Sequence, residues 1–254
     1  MSHSFHRYKI KIEYDGSSFC GWQRQSCPFK GELRTVQNSI ESALFKITGQ
    51  SILVEGAGRT DRGVHATGQI GHFDLNYFFD PFRLKEALNS YLRHQSIVIL
   101  SLEKEVNNFH ARFSAIQRSY VYRIINRRAP LALEKNRAWH VITPLNEQSM
   151  AEAAQDLVGR HDFSSFRAAQ CQSKNPLKTL TYFKITKEEE QIIATIQSKS
   201  FLHHQVRIMM GTLKLIGEGK WNRQDLKRIL NSKERKQAGP TAPAHGLYLT
   251  RIDY

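Results

Sequence analysis

Stretches with a hydrophobic period of two alternate along this chain with stretches of helical period, and their order leaves few folds open. Residues 7–14 set Lys9, Lys11 and Glu13 against Ile10, Ile12 and Tyr14, the signature of a strand with one buried face. Asp15-Gly16 ends it. Beyond a polar, Gln-containing loop, Thr35 can cap a helix whose apolar residues Val36, Ile40, Ala43, Leu44 and Ile47 recur at helical spacing, with Gly49 as its stop. Residues 52–55 read as a second strand, 56–68 as a glycine-rich interruption, 69–74 as a third strand, 82–92 as a helix and 96–102 as a fourth strand. The order is β-α-β-β-α-β, the ferredoxin-like plan also used by RNA-recognition modules. A shared fold does not by itself establish a shared activity.

The second half repeats the order. A strand is expected over 120–126, a helix over 147–158 behind Asn146 and ahead of Gly159, and strands near 179–186 and 191–198. A helix over 202–216 buries Val206, Met209, Met210, Leu213 and Ile216 on one face; a short helix around 224–230 and a last strand over 246–253 follow. The halves share element order without residue-level identity. The expectation is an α+β protein of two similar ferredoxin-like, RRM-like halves, 1–107 and 108–254, with mainly antiparallel sheets flanking a basic central cleft.

Charge narrows the partner. Among 254 residues, 37 Lys and Arg stand against 23 Asp and Glu, a net charge of +14, which favours a polyanion, nucleic acid first. A basic surface that serves only solubility is the plainer alternative. No run of eighteen apolar residues suits a membrane helix, and residues 1–11 lack the apolar stretch of a signal peptide, so the chain reads as cytoplasmic with no membrane partner. Cys20, Cys27 and Cys171 form no C-x-x-C pair, which suits a reducing compartment and gives no zinc framework.

The segment with chemistry in it is Gly56-Ala57-Gly58-Arg59-Thr60-Asp61-Arg62-Gly63-Val64-His65-Ala66. Its glycines permit tight backbone near a ligand, and one carboxylate stands between two arginines. A surface turn with a local ion pair is the competing reading. Neither His203-His204 nor the Asp61/His65 spacing supplies three metal ligands at a recognised interval.

Together the motifs resemble those of the tRNA pseudouridine synthase A family. They are Tyr14-Asp15-Gly16 with Gly21-Trp22-Gln23-Arg24-Gln25; Thr35-Val36-Gln37; the 58–66 segment; Phe109-His110-Ala111-Arg112-Phe113-Ser114-Ala115; Arg118-Ser119-Tyr120-Val121-Tyr122; His161-Asp162-Phe163-Ser164-Ser165-Phe166; Phe201-Leu202-His203-His204-Gln205-Val206-Arg207; and Thr241-Ala242-Pro243-Ala244-His245-Gly246-Leu247-Tyr248-Leu249. The resemblance implies isomerisation of uridines at tRNA positions 38, 39 and 40, in the anticodon stem-loop, by a homodimer without cofactor or metal. It implies Asp61 as the catalytic nucleophile, Arg59 as the residue that displaces the target base, Tyr120 as the stacking tyrosine and Arg207 as the basic partner of the aspartate. Gln23, Arg24, His203 and His204 are implied RNA contacts.

The chemistry suits these residue types. Forming pseudouridine breaks a C–N glycosidic bond, turns the uracil and makes a C–C bond at C5, which calls for a carboxylate that attacks or removes a proton. A stacked base must also be extruded, at a cost of a few kcal/mol. Taken alone, Tyr120 also reads as a core tyrosine and Arg207 as a solvated helix residue. Two rival functions remain at this level: a non-catalytic RNA-binding protein with two RRM-like halves, which leaves the Asp61 loop unexplained, and a metal-dependent hydrolase using Asp61, His65 and His203 or His204. The chain departs from the family pattern in a longer loop over 26–34 and in lacking Leu-Pro within 89–94.

Overall fold

The computed structural model describes residues 5–27 and 31–254. The chain divides into two compact units: residues up to Ile116 together with 249–254, and residues 117–248. The first unit thus runs nine residues past the expected boundary at 107. Phe109 explains part of the extension, since its buried ring packs 4.9 Å from that of Tyr254 and 6.2 Å from that of His72.

The first unit comprises β1 (His6–Tyr14), a hairpin of β2 (Ser26–Cys27) and β3 (Gly31–Glu32), α1 (Val36–Thr48), β4 (Glu55–Gly56), β5 (His65–Leu75), α2 (Pro81–Leu92) and β6 (Ile97–Lys104). Strand order is β6-β1-β5, antiparallel throughout; β4 pairs with β5, and the closing strand of the chain, Leu247–Asp253, is β5's next neighbour. The alternation of β1 buries Tyr8, Ile10, Ile12 and Tyr14. Tyr8 stacks on Phe73 at 5.6 Å, while its hydroxyl donates to Phe79 O at 2.8 Å and accepts from Phe79 N–H at 2.7 Å. Helix α1 begins where Thr35 Oγ1 accepts from Asn38 N–H and ends at Gly49, whose φ of 71° is left-handed. Helix α2 buries Leu84, Leu88 and Leu92, one per turn, each worth about 1.5–3 kcal/mol of burial.

Two strands differ from expectation. The second was expected over 52–55, yet only Glu55 and Gly56 join the ladder. Val54 N–H instead donates to the buried Glu41 carboxylate at 3.0 Å. The third begins at His65, four residues early, because Ala66 pairs with Tyr14 of β1. The polar loop holds the β2–β3 hairpin; Pro28, Phe29 and Lys30, inside the long 26–34 loop, lie outside the described residues.

The second unit comprises β7 (Gln117–Asn126), β8 (Trp139–Val141), α3 (Glu147–Gln155), β9 (Gly159–Asp162), β10 (Leu177–Glu188), β11 (Gln191–Ser198), α4 (Gln205–Gly217) and α5 (Arg223–Ser232), and ends at Tyr248, within the closing strand β12. Strand order is β7-β11-β10-β9, antiparallel, with β8 parallel to β7. Helix α3 packs on β10, α4 and α5. It stops at Gln155 rather than 158, because the amides of Asp156, Leu157 and Val158 turn back to the carbonyls of Ala153, Ala154 and Gln155. Helix α4 starts at Gln205 rather than 202, since His204 takes a left-handed φ of 62°. No helix among the described residues is long and apolar enough to cross a membrane.

Candidate active site

In the first unit, the loop between β4 and β5 is fastened at its ends while its middle stays accessible. Ala57 N–H donates to Ile70 O at 2.7 Å, and the fully buried Gln69 donates from Nε2 to Gly58 O at 2.7 Å. Tyr14 Oη lies 2.8 Å from the buried Thr60 Oγ1. Val64 N–H then closes a turn onto Asp61 O at 3.1 Å, with Gly63 at a left-handed φ of 79°. Asp61 is half-buried; Arg59 and Arg62, which flank it, are exposed. A carboxylate on such a loop sits on rigid backbone with cationic neighbours, the arrangement that favours a preorganised anion acting on a polyanionic ligand.

The Tyr14-to-Gln25 stretch packs directly on this loop. Trp22 N–H donates to Thr60 O at 3.1 Å. A Cβ on Gly21 would come within 2.6 Å of the same carbonyl, and one on Gly56 within 2.5 Å of the Trp22 ring. Both glycines are therefore needed for close approach. Gly16 N–H and Asp15 Oδ1 lie 3.1 Å and 3.2 Å from the buried His65 Nδ1, so the ring is held against the start of this stretch. In the sequence, Tyr14, Trp22 and Gln69 are only motif or strand residues. Their part in building the loop is visible only in the folded chain.

Gln23 is half-buried. Arg24, an expected RNA contact, is exposed but stands 3.5 Å from the buried Glu41 carboxylate, and its N–H donates to Gln37 Oε1 at 3.0 Å. Asn89, where the family's Leu-Pro was expected, braces β6 by exchanging bonds with Ile99 N–H at 2.8 Å and Ile99 O at 3.0 Å.

Glu55, His72 and His110, also in this unit, bring ligand-type atoms within 4.8 Å of one another. Both histidines there also hold backbone. His72 Nδ1 accepts from Ala111 N–H, and His110 Nδ1 accepts from Arg112 and Phe113 N–H, so one nitrogen of each ring is already committed to backbone donors. Glu55 Oε2 stands 3.3 Å from His110 Nε2. Burial, with the positive charge of Arg7 nearby, holds His72 below its ordinary value.

In the second unit, Tyr120 lies on β7 opposite Ile196 of β11, 8% exposed, with Phe201 edge-on at 5.1 Å. Arg207, in the first turn of α4, donates from Nε to Ala242 O at 2.8 Å, and Ala242 N–H donates to Arg207 O at 3.0 Å. It lies close to the buried Tyr122, whose phenol donates to Pro243 O at 2.8 Å. Burial pushes the Tyr122 phenol well up, and the Arg207 charge acts in the opposite direction. His203 is exposed and His204 half-buried, their rings 3.9 Å apart just ahead of α4. The second unit thus gathers Arg207 and the two histidines at the start of one helix.

With these geometries in view, the comparisons with known proteins are specific. Residues 10–114 and 153–254 match the family model described as tRNA pseudouridine synthase. The chain belongs to this family. Proteins named tRNA pseudouridine synthase A from Bartonella tribocorum and Paramagnetospirillum magneticum are each 48% identical to it, over 250 and 248 residues; both alignments cover 98% of this chain, and 99% and 95% of those proteins. One of the same name from Bartonella quintana is 46% identical over 250 residues, covering 98% of this chain and 99% of that protein. The tRNA pseudouridine synthase match takes in the Asp61 loop, the Trp22 stretch packed on it and the α4 segment with Arg207. It leaves out 115–152, where β7 and Tyr120 lie, although the full-length relatives align across nearly the whole chain.

Proposed function

We propose that this pseudouridine synthase isomerises uridines at positions 38, 39 and 40 of the tRNA anticodon stem-loop, with Asp61 as its nucleophile. The observation that carries the reading is the Asp61 loop itself. Buried Gln69 and Tyr14 fasten Gly58 and Thr60, while Asp61 keeps partial access between exposed Arg59 and Arg62.

The reaction conserves atoms and electrons: the C–N glycosidic bond breaks, the uracil turns, C5 bonds to the ribose carbon, and the proton on C5 ends on a ring nitrogen. An aspartate and a bound base are sufficient for it, with no redox partner. Asp61 attacks; Arg59, on the exposed shoulder of the loop, displaces the target base from its stack. Tyr120 stacks on the uracil, and Arg207 serves as the basic partner of the aspartate. Gln23, Arg24, His203 and His204 contact the RNA, Arg24 exchanging its Glu41 partner for phosphate. Each unit is read as a ferredoxin-like half, the first with strand order β6-β1-β5-β4. A cytoplasmic location, read from the sequence, and a homodimer, implied by the family resemblance, complete the reading.

The test is Asp61→Asn, which removes the anionic nucleophile and keeps its shape. Pseudouridine mapping in tRNA incubated with the variant is expected to show none, while tRNA still binds. Turnover by a sequence-verified variant overturns the assignment.

A further inference from the structure

One turn of the second unit, 238–243, is held from two sides. On the helix side, Gly239 N–H donates to Thr212 Oγ1 of α4 at 3.0 Å, and a Cβ on Gly211 would meet Pro240 O at 1.7 Å, so turn and helix touch backbone to backbone. On the other side, Arg235 Nη1 donates to Ala238 O at 3.3 Å and Gly239 O at 3.0 Å, and its Nη2 to Thr241 Oγ1 at 3.2 Å. A planar guanidinium that spans three acceptors of one turn fixes the turn's shape. Burial pulls Arg235 below its ordinary value.

The far end of the same turn grips the site. Ala242 takes Arg207 at two points: its N–H donates to Arg207 O at 3.0 Å, and its carbonyl accepts from Arg207 Nε at 2.8 Å. The next carbonyl, Pro243 O, accepts from Tyr122 at 2.8 Å. With Nε engaged, the plane of the Arg207 guanidinium follows the position of Ala242. We propose that Arg235 is a positioning residue for the isomerisation, acting through the 238–243 turn to set the Arg207 guanidinium. This rests on the reading that Arg207 takes part in the reaction.

The experiment is a double-substitution cycle on the full chain, Arg235→Ala and Arg207→Lys singly and together, following single-turnover pseudouridine formation at saturating tRNA, tRNA affinity and melting temperature. Arg235→Ala is expected to slow the chemical step about 10- to 100-fold, the scale of a misplaced group, with tRNA affinity unchanged. Lysine has no Nε–H to pin, so Arg235→Ala is expected to cost nothing further in the Arg207→Lys background. Arg235→Lys, which keeps the cation with fewer donors, is expected to recover part of the rate. Wild-type turnover by Arg207→Lys overturns the role of Arg207 and this proposal with it. A slow Arg207→Lys in which Arg235→Ala exacts its full factor again overturns the positioning alone. A purely structural Arg235 gives a rate loss that merely tracks the folded fraction, and this too overturns the proposal. Should Arg235→Ala not fold, Thr212→Val, which removes the acceptor for Gly239 N–H, takes its place in the cycle with the same expected non-additivity.

Discussion

Tyr14→Phe deletes one oxygen and tests whether the Asp61 loop is placed by its buried contacts. The lost bond is the 2.8 Å contact between Tyr14 Oη and Thr60 Oγ1, with both residues buried. The ring keeps its packing 6.2 Å from Trp22, so no cavity forms. A neutral buried hydrogen bond contributes about 0.5–1.5 kcal/mol, and a stranded Thr60 hydroxyl takes the cost to about 1–2 kcal/mol. For a chain of this size that lowers the melting temperature by about 2–8 °C. Thr60 adjoins Asp61, so slack at its side chain moves the carboxylate, and a displacement near 1 Å slows chemistry up to about 100-fold. The assay pairs thermal melting with single-turnover pseudouridine formation at saturating tRNA. A variant that melts lower yet turns over at the wild-type rate refutes the claim that Thr60 places Asp61. An unchanged melting temperature refutes the energetic value given to the bond.

Three further outcomes are expected. Affinity for tRNA falls steeply with salt, because cationic side chains release counterions from phosphates; a flat plot of log affinity against log salt assigns the +14 charge another purpose. Tyr120→Phe keeps a π-face and binds tRNA, whereas Tyr120→Leu loses about 1–3 kcal/mol of stacking; parallel loss of stability and activity in both returns Tyr120, 8% exposed beside Phe201, to the core. Because burial lowers the His72 value from 6.5, the unfolded chain takes up this proton before the folded one, so the stability it contributes is present above about pH 6.5 and is lost as pH falls toward the folded value. Melting temperature followed downward from neutral pH is expected to drop, with a shallower fall in His72→Gln; identical slopes count against the neutral, backbone-accepting His72.

What the sequence could determine alone were the elements whose signal is local. β1, α1 and α2 follow from periodicity within a dozen residues, and the Thr35 cap and the Gly49 stop are chemistry between near neighbours. Asp61 between two arginines was visible for the same reason. Tertiary structure decided whatever depends on partners far along the chain. Val54 leaves the ladder because a carboxylate thirteen residues away takes its N–H, and β5 starts early because Ala66 meets Tyr14. The start of α4 depends on a left-handed His204, a backbone state no hydrophobic period encodes. The same holds for the supports of the candidate residues: Gln69 beneath Gly58, Tyr14 beside Thr60 and Ala242 against Arg207 are contacts between segments. Hydrogen bonds of that kind form only once packing brings their donors and acceptors together, which is why residue types announced the chemistry while the fold alone supplied its geometry.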